Sequence, residues 1–388
     1  MINLSNDELA IAKRIKELKK ESGSHSPSIF TFAKNIPELD VKIDACFLSN
    51  PYATNLFIDY LKKDLIETGK LRDYMEFYPS QNNVIAESIS DSINISSENI
   101  FVGNGAIEII QAVMHNFVEN KIIVNIPTFS SYYEFANPQT KVFYHQLDKD
   151  ADFILDPNKY LEYVNKINPD SLVIINPNNP DGGYLKIDDL EYLIKELQHI
   201  KNIIIDESFI HFAYDDDKYE LKSATDLFKK YSNLIIIKSM SKDFGIAGIR
   251  AGYGIMDKQK VNSLLSNGYL WNSSGLSEYF FQLYRNEEFF KKYNEIRKNF
   301  ILETKDFYNE LSLIKKIRVF PTRANFALVE LIDGSSSANF VSKLLIKYGI
   351  YARTGDDKIG LDGQFIRIAS RTKDENKVII KSLRDMIE

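Results

Sequence analysis

The sequence predicts an α/β protein with a large domain built on a mostly parallel sheet and a smaller α+β domain, on three observations. Short apolar runs, "NIFVGNG", "KIIVNIP", "KVFYHQL", "SLVIINP", "NIIIDES", "NLIIIKS" and "AGYGIM", alternate with helical stretches such as 105–118 and 187–199. After residue 275 the pattern changes to a long polar helical region and then to strand, helix, strand, helix. Unusual polar residues also cluster where the apolar runs end, and in open parallel sheets those carboxyl ends are where ligands gather.

Each element has its own justification. Leu9, Ala12, Ile15 and Leu18 recur near a 3.6 period and predict an amphipathic helix, ended by the polar break "ESGSHSPS". Residues 1–48 are therefore expected to form an amino-terminal arm and part of the small domain. The apolar runs place the large domain at 49–275, since strands without polar alternation are covered on both faces. Beyond "SEYFFQLYRNEEFFKKYNEIRKNF", the segments "KIRVFPTRANFALVEL" and "QFIRIASRTKDENKVIIKSLRDMIE" predict a small domain over 276–388.

Composition narrows the function classes. At 388 residues, with 44% hydrophobic and 26% charged, the chain is neither disordered nor collagenous. A formal charge of −6 with mixed signs leaves no basic field for nucleic acid. Cys46 is the only cysteine, so no intrachain disulfide forms and a reducing compartment is expected. The stretch "MINLSNDELAIAKRIKELKK" has no apolar signal-peptide core, and no run approaches the roughly 18 apolar residues of a membrane span. A cytoplasmic protein without membrane partners is the expectation.

The strand ends carry the chemistry. "SLVIINPNNPDGG" ends in Asn176, Pro177, Asn178, Asn179 and Pro180, which turn chemistry explains about as well as function. "NIIIDESF" puts Asp206 and Glu207 directly after three isoleucines, where a carboxylate is costly to desolvate without a cationic or protonated partner. "NLIIIKSMSKDFG" delivers Lys242 beyond a buried run. In "NIFVGNGAIEII", Gly103 and Gly105 make a tight turn into a helix whose free N–H groups and dipole suit a phosphate. An amine, an acid for a ring nitrogen, an asparagine for a phenolic oxygen and a phosphate cradle together meet the needs of pyridoxal 5′-phosphate. No histidine has metal-ligand spacing: His115, His145 and His199 are isolated, and His211 lies five residues after Asp206.

"SMSKDFGIAGIRAGY" resembles the S-x-S-K-x-x-x-x-x-G-x-R signature of class I/II aminotransferases, with "NPNNPDG" and "DE" in the family's order, over roughly residues 25–388. The resemblance implies a fold type I pyridoxal phosphate enzyme in which Lys242 is the Schiff-base lysine and Asp206 partners the pyridine nitrogen. It further implies that Asn179 bonds the phenolic oxygen and Phe129 stacks on the ring. Gly105, Ala106, Ile107, Ser239, Ser241 and Arg250 would hold the phosphate. Tyr78 would reach it from the neighbouring subunit of a homodimer.

The same resemblance assigns substrate residues. Arg367 would grip the substrate carboxylate, and Arg353 and Arg371 suggest a second anion such as a phosphate. Two subfamilies fit: decarboxylases of phosphothreonine and phosphoserine, and histidinol-phosphate aminotransferases. "GLDGQFIRIASR", Phe209 in place of a tyrosine, and His25 placed 25 residues before Asn50, two residues the resemblance assigns to the substrate, lean toward the decarboxylases. The expected reaction is thus decarboxylation of L-phosphoserine or L-threonine phosphate to an amino-alcohol phosphate. The alternative is transamination of a histidinol phosphate or dihydroxyacetone phosphate type of substrate. Two departures are Asp181, where the family usually has a threonine, and an unusually long segment between residues 47 and 78.

Overall fold

The computed structural model describes residues 4–387. Thirteen strands occur among them: β1 (Ile43–Asp44), β2 (Ile100–Asn104), β3 (Lys121–Ile126), β4 (Lys141–Gln146), β5 (Ser171–Ile175), β6 (Asn202–Asp206), β7 (Leu234–Ser239), β8 (Ala251–Ile255), β9 (Ile317–Val319), β10 (Phe326–Leu331), β11 (Ile350–Tyr351), β12 (Arg353–Thr354) and β13 (Phe365–Ala369). The chain forms two compact units, one of residues 49–179 and 183–299, the other of residues 1–48, 180–182 and 300–388.

The larger unit is an α/β sandwich on a seven-stranded sheet of order β2-β8-β7-β6-β5-β3-β4. Strands β3 to β7 run parallel, and β8 lies antiparallel between β2 and β7. Every residue of β5, β6 and β7 is buried, as expected of runs such as "SLVII" and "NIIID" covered on both faces. On one face, the helix Ala106–Phe117 packs Ile109, Ile110, Val113 and Phe117 against Val124, Val173, Ile204, Ile235 and Ile237. Three consequences of register matter for the site. Asp206 pairs with Ile175 and Ile237, so the ends of β5, β6 and β7 lie side by side. Gly103 pairs with Gly252, and Gly252 with Ser239. A Cβ at Gly252 would come 2.8 Å from the Ala106 nitrogen, so glycine lets the start of this helix sit on the sheet edge.

The division between units falls after residue 299, later than the sequence boundary at 276. The helix Gly275–Tyr284 belongs with the larger unit because its buried rings meet that unit's core: Phe280 lies 5.1 Å from Phe244 and Phe281 6.3 Å from Tyr253. Periodicity reveals a helix but not which core it joins.

The smaller unit is α+β. Its four-stranded antiparallel sheet has order β12-β13-β10-β9, and β1 pairs parallel with β11. The segment read as one strand, "KIRVFPTRANFALVEL", is two antiparallel strands, with Val319 opposite Val329, because "FPTRAN" turns the chain between them. The helices Ser337–Tyr348 and Lys373–Ile387 bury Leu344, Ile379 and Leu383 against Ala327, Val329, Ile366 and Ile368. The amino-terminal helix Asn6–Glu21 starts in a capping box: Ser5 Oγ accepts from the Glu8 N–H and the Glu8 carboxylate accepts from the Ser5 N–H. Among the described residues no helix is long and apolar enough to cross a membrane, and no group of His, Cys, Asp and Glu side chains is arranged to hold a metal ion.

Candidate active site

In the larger unit the site grows from the ends of β5, β6 and β7. Asp206 closes β6 and is buried. Its Oδ2 accepts a 2.7 Å hydrogen bond from the Tyr132 hydroxyl, and its Oδ1 accepts one of 2.8 Å from the Ser208 N–H. Burial pushes its pKa up, opposed by those two hydrogen bonds and by the positive charge of Lys238. A buried carboxylate whose hydrogen-bond partners are both neutral is suited to a cation, and a protonated pyridine nitrogen is such a group.

Lys242 lies beyond β7 in a turn and is half-buried. Its carbonyl accepts from the Asn50 N–H at 2.8 Å and from the Gly245 N–H at 3.2 Å. The turn sits against the start of the helix Pro51–Leu61: Thr54 Oγ1 donates to the Gly245 carbonyl at 2.8 Å. Gly245 has φ +65°, and a Cβ there would come 2.3 Å from the Asn50 carbonyl oxygen, so only glycine fits. Asn50, assigned by the resemblance to the substrate, is buried with its Oδ1 capping this helix through the Tyr52 and Ala53 N–H groups. Its visible duty is to fix the backbone of the lysine turn.

The anion cradle is also assembled. Gly105, at φ +74°, precedes the helix Ala106–Phe117, whose first turn has no side-chain cap, and Ala106 and Ile107 provide its leading N–H groups. The Arg250 guanidinium lies against Gly105 so closely that a Cβ there would come 2.5 Å from its Nη2. Arg250 Nη1 donates to the Ala247 carbonyl at 3.0 Å. Ser239 and Ser241 are buried, with the Ser241 N–H donating to Ser239 Oγ at 3.3 Å. Free helix N–H groups, a guanidinium and two hydroxyls are the donors a phosphate requires.

The asparagines divide their work. Asn176 exchanges two 2.9 Å side-chain bonds with Leu185, and Asn178 ties to Thr128 at 2.8 Å and to the Pro127 carbonyl at 2.9 Å, so both shape the turn. Asn179 is buried beside them, and Phe129 is half-buried at the edge of the core. Phe209, where a tyrosine would bond the phenolic oxygen, is buried. Tyr78 stands 89% exposed, its ring 6.3 Å from Trp271.

Two residues here escaped the sequence reading. Tyr132 is one, its adjacency in "SSYYE" giving no hint of a carboxylate 74 positions away. Lys238 is another, buried on β7 with its Nζ 3.2 Å from the Glu207 carbonyl and 3.7 Å from Asp243 Oδ2. Glu207 itself is buried and accepts from Ser223 Oγ and the Ala224 N–H, both at 2.6 Å. His211 is buried too, its Nδ1 2.7 Å from the Tyr293 hydroxyl and 3.4 Å from Asp243 Oδ2; burial drives its pKa well down, so it is neutral.

In the smaller unit the sequence-predicted arginines meet. Arg353 on β12 is the direct cross-strand partner of Arg367 on β13, and both are buried. Like charges directly opposite are destabilising in a sheet unless an anion lies with them. Arg367 Nη2 donates to the Cys46 carbonyl at 2.9 Å, and its guanidinium lies 5.3 Å from the Phe326 ring centre. Burial, then Arg353, lowers its pKa to about 10, so it stays charged at neutral pH. Arg353 Nη2 donates to the Ser24 carbonyl at 2.7 Å and to Asp357 at 2.8 Å, and Nη1 donates to Ser26 Oγ. Arg353 thereby anchors the loop that carries His25, whose side chain is exposed and whose carbonyl accepts from Lys19 Nζ at 2.7 Å. Arg371 is half-buried just past β13, its Nε 3.7 Å from Glu375, and its N–H donates to Asn376 Oδ1 at 2.7 Å.

A lysine in the turn beyond a strand, a buried carboxylate and a glycine-lined helix start with a guanidinium against it fit a fold type I pyridoxal phosphate scaffold. The chain belongs to the aminotransferase class I and II family, whose profile matches residues 48–383, and that family depends on pyridoxal phosphate. Along its whole length it is 61% identical to an L-serine phosphate decarboxylase of Campylobacter jejuni, covering 100% of both chains. It is 45% identical to an L-serine phosphate decarboxylase of Sulfurospirillum multivorans over 97% of this chain and 96% of that one. A solved decarboxylase structure from Sulfurospirillum multivorans superposes with a TM-score of 0.94 at 44% identity, covering 98% of this chain and 97% of the other.

Proposed function

We propose that this protein is a pyridoxal phosphate-dependent carboxy-lyase that converts L-phosphoserine to phosphoethanolamine and CO₂, with uptake of one proton at the α-carbon. Full-length similarity to the Campylobacter jejuni enzyme at 61% identity carries the choice of substrate. The cofactor supplies an aldehyde that captures an amine covalently and a ring that accepts the electron pair left when the carboxylate departs.

The chain's own residues do the rest. Lys242 holds the cofactor and, once its amine is freed, moves a proton at the α-carbon. Asp206, braced by Tyr132 and the Ser208 N–H, keeps the ring nitrogen protonated. Gly105, Ala106, Ile107, Ser239, Ser241 and Arg250 bind the cofactor phosphate, Asn179 bonds the phenolic oxygen, and Phe129 stacks on the ring. Arg367 binds a substrate anion, with Arg371 and His25 beside the substrate, while Arg353 and Asn50 act through the loops they fix. A homodimer is supported by the exposure of Met75, Phe77 and Tyr78, at 74%, 64% and 89%, an apolar patch that a second copy would cover while Tyr78 reached that copy's phosphate.

Transamination is the second reading, because aminotransferases share the scaffold. Incubating holoenzyme with phosphoserine should yield phosphoethanolamine and CO₂ without any keto acid. Glutamate formed only when 2-oxoglutarate is present, with no phosphoethanolamine, would replace the lyase reading by the transferase one.

A further inference from the structure

We infer that Lys238, a second buried lysine four residues before Lys242, is a positioning and charge-setting residue, one that ties the strand end bearing Asp206 to the turn bearing Lys242 and helps to keep Asp206 ionised. The inference rests on the pyridoxal phosphate reading and adds a residue to it.

The geometry is specific. Lys238 Nζ reaches the carbonyl of Glu207, the neighbour of Asp206, at 3.2 Å, and the carboxylate of Asp243, the neighbour of Lys242, at 3.7 Å. Both loops that deliver the chemistry are therefore fastened to one ammonium group. A buried lysine carries a large desolvation cost and is a poor choice if only packing were needed. Its pairing with Asp243 exceeds hydrogen-bond length, so Lys238 is not half of an optimised ion pair. It interacts instead with three buried carboxylates, Asp243, Glu207 and Asp206.

The surroundings sharpen the charge argument. Arg297 is the other buried cation of this unit, but its guanidinium is spent on the carbonyls of His211, Tyr219 and Ala213 at 2.5, 2.7 and 3.2 Å. His211 and Tyr293 face Asp243, Tyr253 is the cross-strand neighbour of Lys238, and Tyr132 faces Asp206; all four are neutral at pH 7. Burial raises the pKa of each of the three carboxylates and lowers that of Lys238, and the Lys238 charge opposes the rise at all three, at Asp206 alongside the stronger hydrogen bonds of Ser208 and Tyr132. Three carboxylates against two buried cations leave one negative charge unbalanced, which a pyridinium at Asp206 completes. Without Lys238, Asp206 would keep only the hydrogen bonds of Ser208 and Tyr132, take up a proton more readily and hold a protonated ring nitrogen less firmly.

The test uses holoenzyme loaded with pyridoxal 5′-phosphate labelled with ¹⁵N in the ring, whose chemical shift reports protonation directly. In wild type the nitrogen should stay protonated across pH 6–9. In Lys238→Met it should lose the proton at least one pH unit lower, with phosphoserine decarboxylation reduced at least tenfold, and Lys238→Arg should restore both. A Lys238→Met enzyme whose nitrogen titrates like wild type, even if its melting temperature falls, would show a merely structural lysine and overturn the inference. If that variant does not fold, Lys238→Met with Asp243→Asn, which removes both charges, decides by the same titration. A wild type that binds no labelled cofactor would instead sink the functional reading itself.

Discussion

The two units bury charge of opposite sign. In the larger unit the fully buried ionised groups are Asp206, Glu207 and Asp243 against Lys238 and Arg297, an excess of carboxylate. Among the described residues of the smaller unit the buried charged groups are Arg353, Lys358 and Arg367 against Asp181, with the half-buried Asp357 paired to Arg353, an excess of one cation. Folding alone favours neither, since an uncompensated buried charge costs several kcal/mol. On the proposed function, the difference matches what each unit would receive: the larger a cationic ring, the smaller an anion. It also explains why the arginines tolerate a cross-strand pairing that a sheet disfavours.

The strongest way to break this comparison is at the amine. Lys242→Ala should abolish the yellow colour and lower decarboxylation by roughly a thousandfold or more, since no other group can replace a nucleophile that holds the cofactor. Retained colour and turnover would remove the basis for reading the carboxylate excess as a pyridinium site. Next in size is Arg367→Met. Losing a charge-assisted contact worth about 1.5–3 kcal/mol should cut kcat/KM for phosphoserine by roughly 10- to 150-fold. Thermal stability should fall little, because relief of the like-charge opposition with Arg353 offsets the lost bond to the Cys46 carbonyl and the lost contact with the Phe326 ring. Arg367→Lys should rescue poorly, as an ammonium lacks the planar fork. An unchanged kcat/KM would leave the smaller unit's cation excess without a ligand. Tyr132→Phe should act more mildly. Removing one hydroxyl from the Asp206 carboxylate should weaken cofactor binding about 3- to 10-fold, read by equilibrium dialysis; stronger binding would mean that Asp206 needs no neutral brace.

What could be read from the sequence follows the range of the interactions. Asp206 and Lys242 were legible because a charged residue ending a run of isoleucines is locally anomalous. The cradle was legible because glycines before a helix are a local signal. Tyr132 was not, because its partner is 74 residues away and only the side-by-side ends of β3, β5 and β6 bring them together. Lys238 gave no signal of its own beside Lys242, and its burial becomes visible only once Tyr253 is placed across from it on β8. Arg353 was recognised as part of an anion site, but its grip on Ser24, Ser26 and Asp357 depends on where the amino-terminal loop returns to β12. Asn50 likewise looked like a substrate contact, and the helix cap it makes is a property of backbone geometry.

The mildest test concerns the sign of the buried carboxylates' effect on stability. Burial, only partly offset by Lys238, raises the Asp243 pKa to about 6, above the range of an unfolded aspartate. A raised folded pKa means that the stability contributed by the protonated form is fully present below the unfolded pKa and is lost as pH rises through about 6. An amide in place of this carboxyl does not titrate. Asp243→Asn should therefore gain on wild type by about 1 kcal/mol between pH 5 and pH 7, measured by urea unfolding at fixed protein concentration. If the variant instead loses ground over that interval, Lys238 and Asp243 form a net stabilising ion pair. The carboxylate excess would then be satisfied within the protein, and the case for a pyridinium as its missing cation would weaken from the stability side alone.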